Sequence, residues 1–510
     1  MVALVGLVVI VLVLALRLAP RLGAGQDLID AAGPALTDER VAGDRAGIDF
    51  ISKYVDLADP LVTAGGGGYK EIPKLIALLK KKKRSSAQAA AILRREAPHT
   101  EALLRALPLT GATGEVGAFI SYLATKLNLS EEALAAEVER SFPKLSQTLT
   151  ALPLVTSGWN DIPGIAGLTR FDGTTAVTTV PQVRDYFSDD LVATVERDKD
   201  DFQAVAGHGG IGYIPTLLLV VGIVVLAFGL LQVRRSRDHP PGKPSWLVVV
   251  AVGVVIVGLV VVLQYFPRLN GADRVLHRTA PAFAPARVVG DRAGIDIVHQ
   301  TVLFGDPIAT KRGGAAAEVP ALLAFVARRT NVSQADVLAG LRKQAPRITA
   351  ILQAIPLSAV AGEVPHLLTF LGQRLNLSRA ELLATLQKRT PHLAQSILAV
   401  RPVTLRWNSI PGTATLTRFD GTTRVRTMPV LEDYFDKDVI PVLESQGANF
   451  RDLADPWPPV NYFPPLLLAI GAIVALYGLL MMRVATRTTP KHKEPKQRKK
   501  RRKGMNRKKD

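Results

Sequence analysis

The chain has no cysteine among its 510 residues, which excludes disulfides, thiolate metal sites and cysteine nucleophiles together. Histidine is scarce. The eight present, His99, His208, His239, His277, His299, His366, His392 and His492, include no pair with metal-ligand spacing. No GxxxxGK[ST] phosphate loop occurs, and the glycines of the recurrent motif GDRAGID are too sparse to form one. Neither a metal nor a cofactor is expected. Aromatic residues are few, and none falls in the last twenty positions, where positive charge is concentrated. That tail therefore has no means of stacking on bases, and nucleic acid is not an expected partner.

Apolar residues are plentiful: they make up 48% of the chain, mean hydropathy is +0.20, and the excess lies in four runs, residues 2–16, 214–233, 247–266 and 463–482. Three approach the ~20 residues that span ~30 Å of hydrocarbon as a helix. The first is shorter and ends at Arg17, whose long side chain can reach the interface. With no Lys or Arg ahead of it, this run is expected to be a retained span rather than a cleaved signal. Arg234, Arg235, Arg237 and Lys243 crowd the short connection between the second and third runs. The twenty residues from Lys491 carry 12 Lys/Arg against Glu494 and Asp510, or +10 of the formal +19. Both segments belong on the cytoplasmic side by the positive-inside rule.

The expected fold class is an integral membrane protein, mainly α, with four transmembrane helices and two tandemly duplicated extracytoplasmic helical-bundle domains, each carrying a small β-hairpin. Spans are placed at 1–20, 212–233, 246–266 and 461–482, outer domains at 21–211 and 267–460, a basic loop at 234–245 and a disordered tail at 483–510. This makes a multi-pass protein of the plasma membrane with both termini in the cytoplasm. Within the tail, Lys491, Lys493, Arg498, Lys499, Lys500, Arg501, Arg502 and Lys503 are candidates to hold anionic lipid headgroups.

The duplication is explicit. Residues 159–187 recur as 407–435 with 20 of 29 positions identical. In each copy Phe-Asp-Gly-Thr (171–174 and 419–422) lies between Thr- and Val-containing runs, a hairpin signal because Gly accepts and Asp tolerates φ > 0. With a two-residue loop, Leu168, Arg170, Thr175 and Val177 share one face, and Thr169, Phe171, Ala176 and Thr178 the other. Ala176 and Thr178 become Arg424 and Arg426 in the second copy, so the face of Phe171 and Phe419 is expected to be exposed. Arg170 and Arg418 then lie on the buried face and need carboxylates; Asp49, Asp296, Asp185 and Asp433 are the candidates. Asp185-Tyr186-Phe187 is expected to open a helix.

A smaller repeat of period 45 lies inside each outer segment, as Pro98 to Pro143 and Pro346 to Pro391 show. Each unit reads as three short helices, with proline starting the last. Asn-x-Ser triplets at Asn128, Asn331 and Asn376 recur just before a helix, so capping explains them better than glycan attachment.

Overlaying the halves tests for catalysis. No histidine meets another, and the retained charges (Asp44, Arg45, Asp49, Arg170, Asp172, Asp185 and their partners Asp291, Arg292, Asp296, Arg418, Asp420, Asp433) suit turns, caps and ion pairs. No catalytic residue is assigned. The expectation is a non-enzymatic binding or scaffold component of a bacterial cell envelope, with the bilayer and a membrane or envelope protein as partners. The alternative is an accessory subunit of a transport system for lipids or envelope components. Phe171, Phe419, Arg170, Arg418, Asp49, Asp296, Asp185 and Asp433 are the candidate binding residues.

Overall fold

The computed structural model describes residues 2–79, 85–206, 210–236, 243–454 and 459–488. The polybasic residues Lys491 to Lys503 and the centre of the basic loop lie outside them. Among the described residues the chain is mainly helical and no strand is found. The described parts of Met1–Gln26, Ala204–Arg274 and Asp452–Asp510 form one compact unit, and those of Asp27–Gln203 and Val275–Arg451 another.

In the first unit, helices Val2–Ala15, Ile214–Ser236, Lys243–Val262 and Phe463–Thr488 coincide with the four apolar runs. Two stretches, Ile214–Arg234 and Phe463–Val484, are long and apolar enough by themselves to cross a membrane, and three bent helix pairs raise the possible number to five. Two of those pairs are copies. Val2–Ala15 bends by 54° into the helix after it, and Trp246–Val262 by 49°, at the left-handed residues Arg17 and Gln264 (φ 48° and 50°). Val2–Ala15 packs on Ile214–Ser236, and Lys243–Val262 on Phe463–Thr488. Glycine makes both contacts possible: a Cβ on Gly6 would stand 2.7 Å from the Gly222 carbonyl oxygen, and one on Gly253 2.7 Å from that of Gly471. Close backbone approach through small residues is how helices associate where surrounding lipid is as apolar as their side chains.

The second unit contains the four expected three-helix repeats: Gly68–Leu79, Ser86–Glu96 and Pro98–Ala106; Val116–Leu127, Glu131–Ser141 and Pro143–Gly158; Ala315–Thr330, Gln334–Gln344 and Pro346–Ala354; Leu357–Leu375, Arg379–Arg389 and Pro391–Arg406. Capping accounts for the Asn-x-Ser triplets, and both residues take part. Asn128, Asn331 and Asn376 end one helix in the left-handed conformation (φ 54°, 53° and 55°), a position asparagine tolerates. Ser130, Ser333 and Ser378 then accept from the amides of Ala133, Asp336 and Glu381 to start the next, with a full capping box at Ser378.

The two outer segments, expected as two duplicate domains, share this single unit and exchange parts within it. The long helix Asp38–Val62 packs on Pro391–Arg406, and its copy Pro285–Ala309 on Pro143–Gly158. Glycines of the GDRAGID motif supply the close approach: Gly43 lies against Leu416 and Gly47 against Leu431, while Gly290 lies against Leu168 and Gly294 against Val183. Each of the four repeats also lends a glutamate to the N-terminus of a proline-started helix in the other half. Glu71 accepts from the Leu393 amide (2.9 Å), Glu318 from Leu145 (2.8 Å), Glu115 from Arg347 (2.6 Å) and Glu363 from Thr100 (2.8 Å). Carboxylates suit these positions because the first amides of a helix lack intrahelical acceptors and carry partial positive charge. Tyr54 marks the pseudo-twofold relation, since its hydroxyl donates to the carbonyl of Thr301, its own counterpart at an offset of 247.

Candidate functional site

The expected β-hairpin is a turn rather than a two-stranded ladder. One isolated bridge, Thr169 with Ala176, is all the pairing it has, and Thr417 with Arg424 repeats it. At the tip the Asp172 carboxylate takes the amides of Thr174 and Thr175 (2.8 and 2.9 Å) and the Thr175 hydroxyl (2.6 Å), which replaces cross-strand bonds with local ones. These bonds, the Thr175 hydroxyl first, hold the Asp172 carboxyl well below the usual carboxylate range; Asp420 is held down likewise, first by the Thr423 amide. The register is nevertheless the expected one, with Leu168 and Val177 buried. Beyond the turn the helix opens at Val180, not at Asp185, because Thr179 and Gln182 form a capping box.

Arg170 and Arg418 do meet carboxylates, but not the expected ones. Arg170 pairs with Asp190 through two bonds (2.6 and 2.9 Å), and Asp190 also accepts from the Phe171 amide (3.0 Å). Arg418 repeats this with Asp438 (3.0 and 2.8 Å). Both acids sit in π-helical turns, Tyr186–Val192 and Phe435–Val439, where the wider coil swings them toward the arginine. Asp49 and Asp296 are exposed; Asp185 pairs with Arg184 (2.7 Å), and Asp433 with Lys437. Extending the repeat overlay three residues past Phe187 would have exposed Asp190 and Asp438 as another retained acidic pair.

Phe171 and Phe419 are not free surface residues, as expected from the sequence, but half-buried. Arg287 lies 5.0 Å from the Phe171 ring and donates to the Arg170 carbonyl (2.8 Å). Arg40 does the same from the other half, 4.8 Å from Phe419 and 3.2 Å from the Arg418 carbonyl. Each ring also makes an edge contact, Phe171 with Tyr186 and Phe419 with Tyr434. The reason is the exchange: the face that is open on one copy alone is covered by the long helix of the other.

Beside each tyrosine lies an acid of the GDRAGID motif. Asp291 is sealed, and neither of its carboxyl oxygens has a hydrogen bond of good geometry, although Tyr186 and Arg287 are near. Burial pushes its pKa up to about 7, with Tyr186 and Arg287 opposing the shift. Burial raises Asp44 to about 7 as well, opposed by Tyr434 and Arg40. Asp44 differs in facing a cavity of about 180 Å³ lined by both halves, including Phe171, Phe187, Phe283, Phe419 and Phe435. Among the described residues no His, Cys, Asp and Glu cluster suits a metal ion. Comparison with protein-family models, curated proteins and solved structures finds no match to this chain.

Proposed function

We propose that the protein is a non-enzymatic binding or scaffold component of a bacterial cell envelope, a four-span protein of the plasma membrane whose duplicated outer segments together form one binding unit. The observation that carries this reading is the apolar cavity built from copied residues of both halves. The retained arginines and acids support it by their surroundings, since Arg170, Arg418, Arg45 and Arg292 are all engaged by carboxylates that hold the turns and helices in place. Mass spectrometry of what co-purifies with the detergent-solubilised chain is the direct test: a reproducible lipid or polypeptide supports the reading, and its absence from every preparation counts against it. A second reading, an accessory subunit of a lipid transport system, draws support from the same cavity and requires a permease among the co-purifying chains.

The basic loop and tail support an orientation with both termini in the cytoplasm. In a chain without cysteine, Thr113→Cys and Ser358→Cys should react in intact cells with a membrane-impermeant thiol reagent, while Ser236→Cys should not. Labelling of the last and protection of the first two would invert the orientation.

A further inference from the structure

The 180 Å³ cavity is more than three times the volume of the 50 Å³ void beside Tyr54. Since about 10–15 Å³ of such space already admits one water, the cavity is far above the size of a single-water site. Its wall is almost wholly hydrocarbon and aromatic, with equivalent residues of the two halves facing it, among them Phe187 and Phe435, and Val195 and Leu443. A cavity of that kind stays dry and takes apolar guests. Polar groups on the wall are few. Asp198 is paired through Oδ1 with Arg278 at 2.7 Å, its Oδ2 lacking a hydrogen-bond partner, and Asp44 faces the space with Oδ1 likewise lacking one. Its counterpart Asp291 is sealed and does not line the cavity. Both acids on the wall come from the first half, and neither counterpart, Asp291 or Gln446, lines the cavity, which gives an elongated guest a polar end.

The lining also comes from helices that adjoin the four apolar helices in the sequence. Leu18–Ala32 follows Val2–Ala15 and Tyr265–Thr279 follows Lys243–Val262, while Ala193–Ala206 precedes Ile214–Ser236 and Ile440–Ala454 precedes Phe463–Thr488. A guest drawn from the bilayer fits this connectivity better than a water-soluble metabolite, which would need more polar contacts for orientation than this wall offers.

We infer that the cavity binds one hydrocarbon chain of a membrane amphiphile, a fatty chain ending in a carboxyl or hydroxyl group beside Asp44. The inference rests on the binding reading above and names its ligand class. The test uses the full-length chain in amphipol and the probe 11-(dansylamino)undecanoic acid, with empty amphipol as blank. Saturable fluorescence enhancement, displaced by dodecanoic acid, is expected. Val195→Trp and Leu443→Trp, which fill the cavity from opposite halves, should each weaken probe binding at least tenfold, while Leu398→Trp on the surface leaves it unchanged. If a tryptophan variant melts early, Val195→Phe makes the same test with a smaller filler. Absence of saturable binding, or filled variants that bind as the parent does, overturns the inference. If either result accompanies a co-purifying polypeptide, the ligand class falls while the binding reading stands.

Discussion

Arg418 is held by Asp438, and Arg170 by Asp190 with Asp189 beside it at 3.5 Å; Asp190 and Asp438 each also accept a backbone amide, so removing either takes the two-bond partner from a guanidinium and the acceptor from an N–H. The pair is only partly buried, with Arg170 24% and Asp190 12% exposed, which places the cost below that of a sealed ion pair. Asp190→Asn should destabilise the full-length protein by about 1.5–3 kcal/mol, read as a lower Tm, and adding Arg170→Met should recover part of the loss. Asp185→Asn should change Tm little, because its partner Arg184 keeps Asp56 at 2.8 Å. Asp291, which is sealed, and Asp44, which is half-buried, predict a pH effect. Asp44 and Asp291 have pKa values of about 7 when folded against ~3.9 unfolded. The folded state therefore binds protons that the unfolded chain has released, and this contribution is complete below pH ~4 and lost as pH rises through 7. A shift of about three units is worth on the order of 4 kcal/mol per site. Asp291→Asn should narrow the fall in Tm between pH 5 and pH 8, and a variant with the parent's full pH slope would show that Asp291 does not titrate there. Asp172 and Asp420 act in the opposite sense, since their depressed values contribute stability above pH ~3.9 that is lost as pH falls.

Local signals served well at the scale of elements wherever the physics is local. Proline at 98, 143, 346 and 391 starts a helix each time, and Ser130, Ser333 and Ser378 cap one, because a missing N–H and a short hydroxyl act on the next three residues regardless of context. The hairpin went differently: Asp-Gly marked the turn and its register, but pairing needs a partner strand long enough to continue, and the Asp172 carboxylate and the Thr179 cap end it on both sides. Partners in the other half were out of reach of local reading. Two of the four cross-half glutamates, Glu71 and Glu318, look like ordinary first-turn acids, yet all four cap helices 173 to 322 residues away in the sequence. Glu71→Gln, at a buried site, should cost about 1–2 kcal/mol and expose the start of Pro391–Arg406 to faster amide exchange. Unchanged exchange at Leu393 would mean the cap contributes nothing.

Fusion of two copies into one unit sets what the whole molecule can do. Each half buries its long helix, its turn and its proline-started helices against the other, so a half by itself would leave those faces in water. A fragment of residues 1–240 made alone should aggregate or pair with a second copy of itself, whereas fragments 1–240 and 241–510 made together should co-purify as a 1:1 complex. A stable monomer of either fragment would show that the halves fold independently. The sequence by itself determined the duplication, the four apolar helices, the repeat of period 45 and the absence of thiol chemistry, because identity, hydropathy and capping are properties of neighbouring residues. Only the tertiary structure decided that Arg170 meets Asp190, that Phe171 lies under Arg287, that the GDRAGID glycines receive the opposite half and that a cavity opens beside Asp44. A repeat overlay shows which positions are equivalent but not whether a copy packs on itself or on its twin, since both arrangements satisfy the same pattern; that choice rests on side-chain packing between residues about 110 to 385 positions apart.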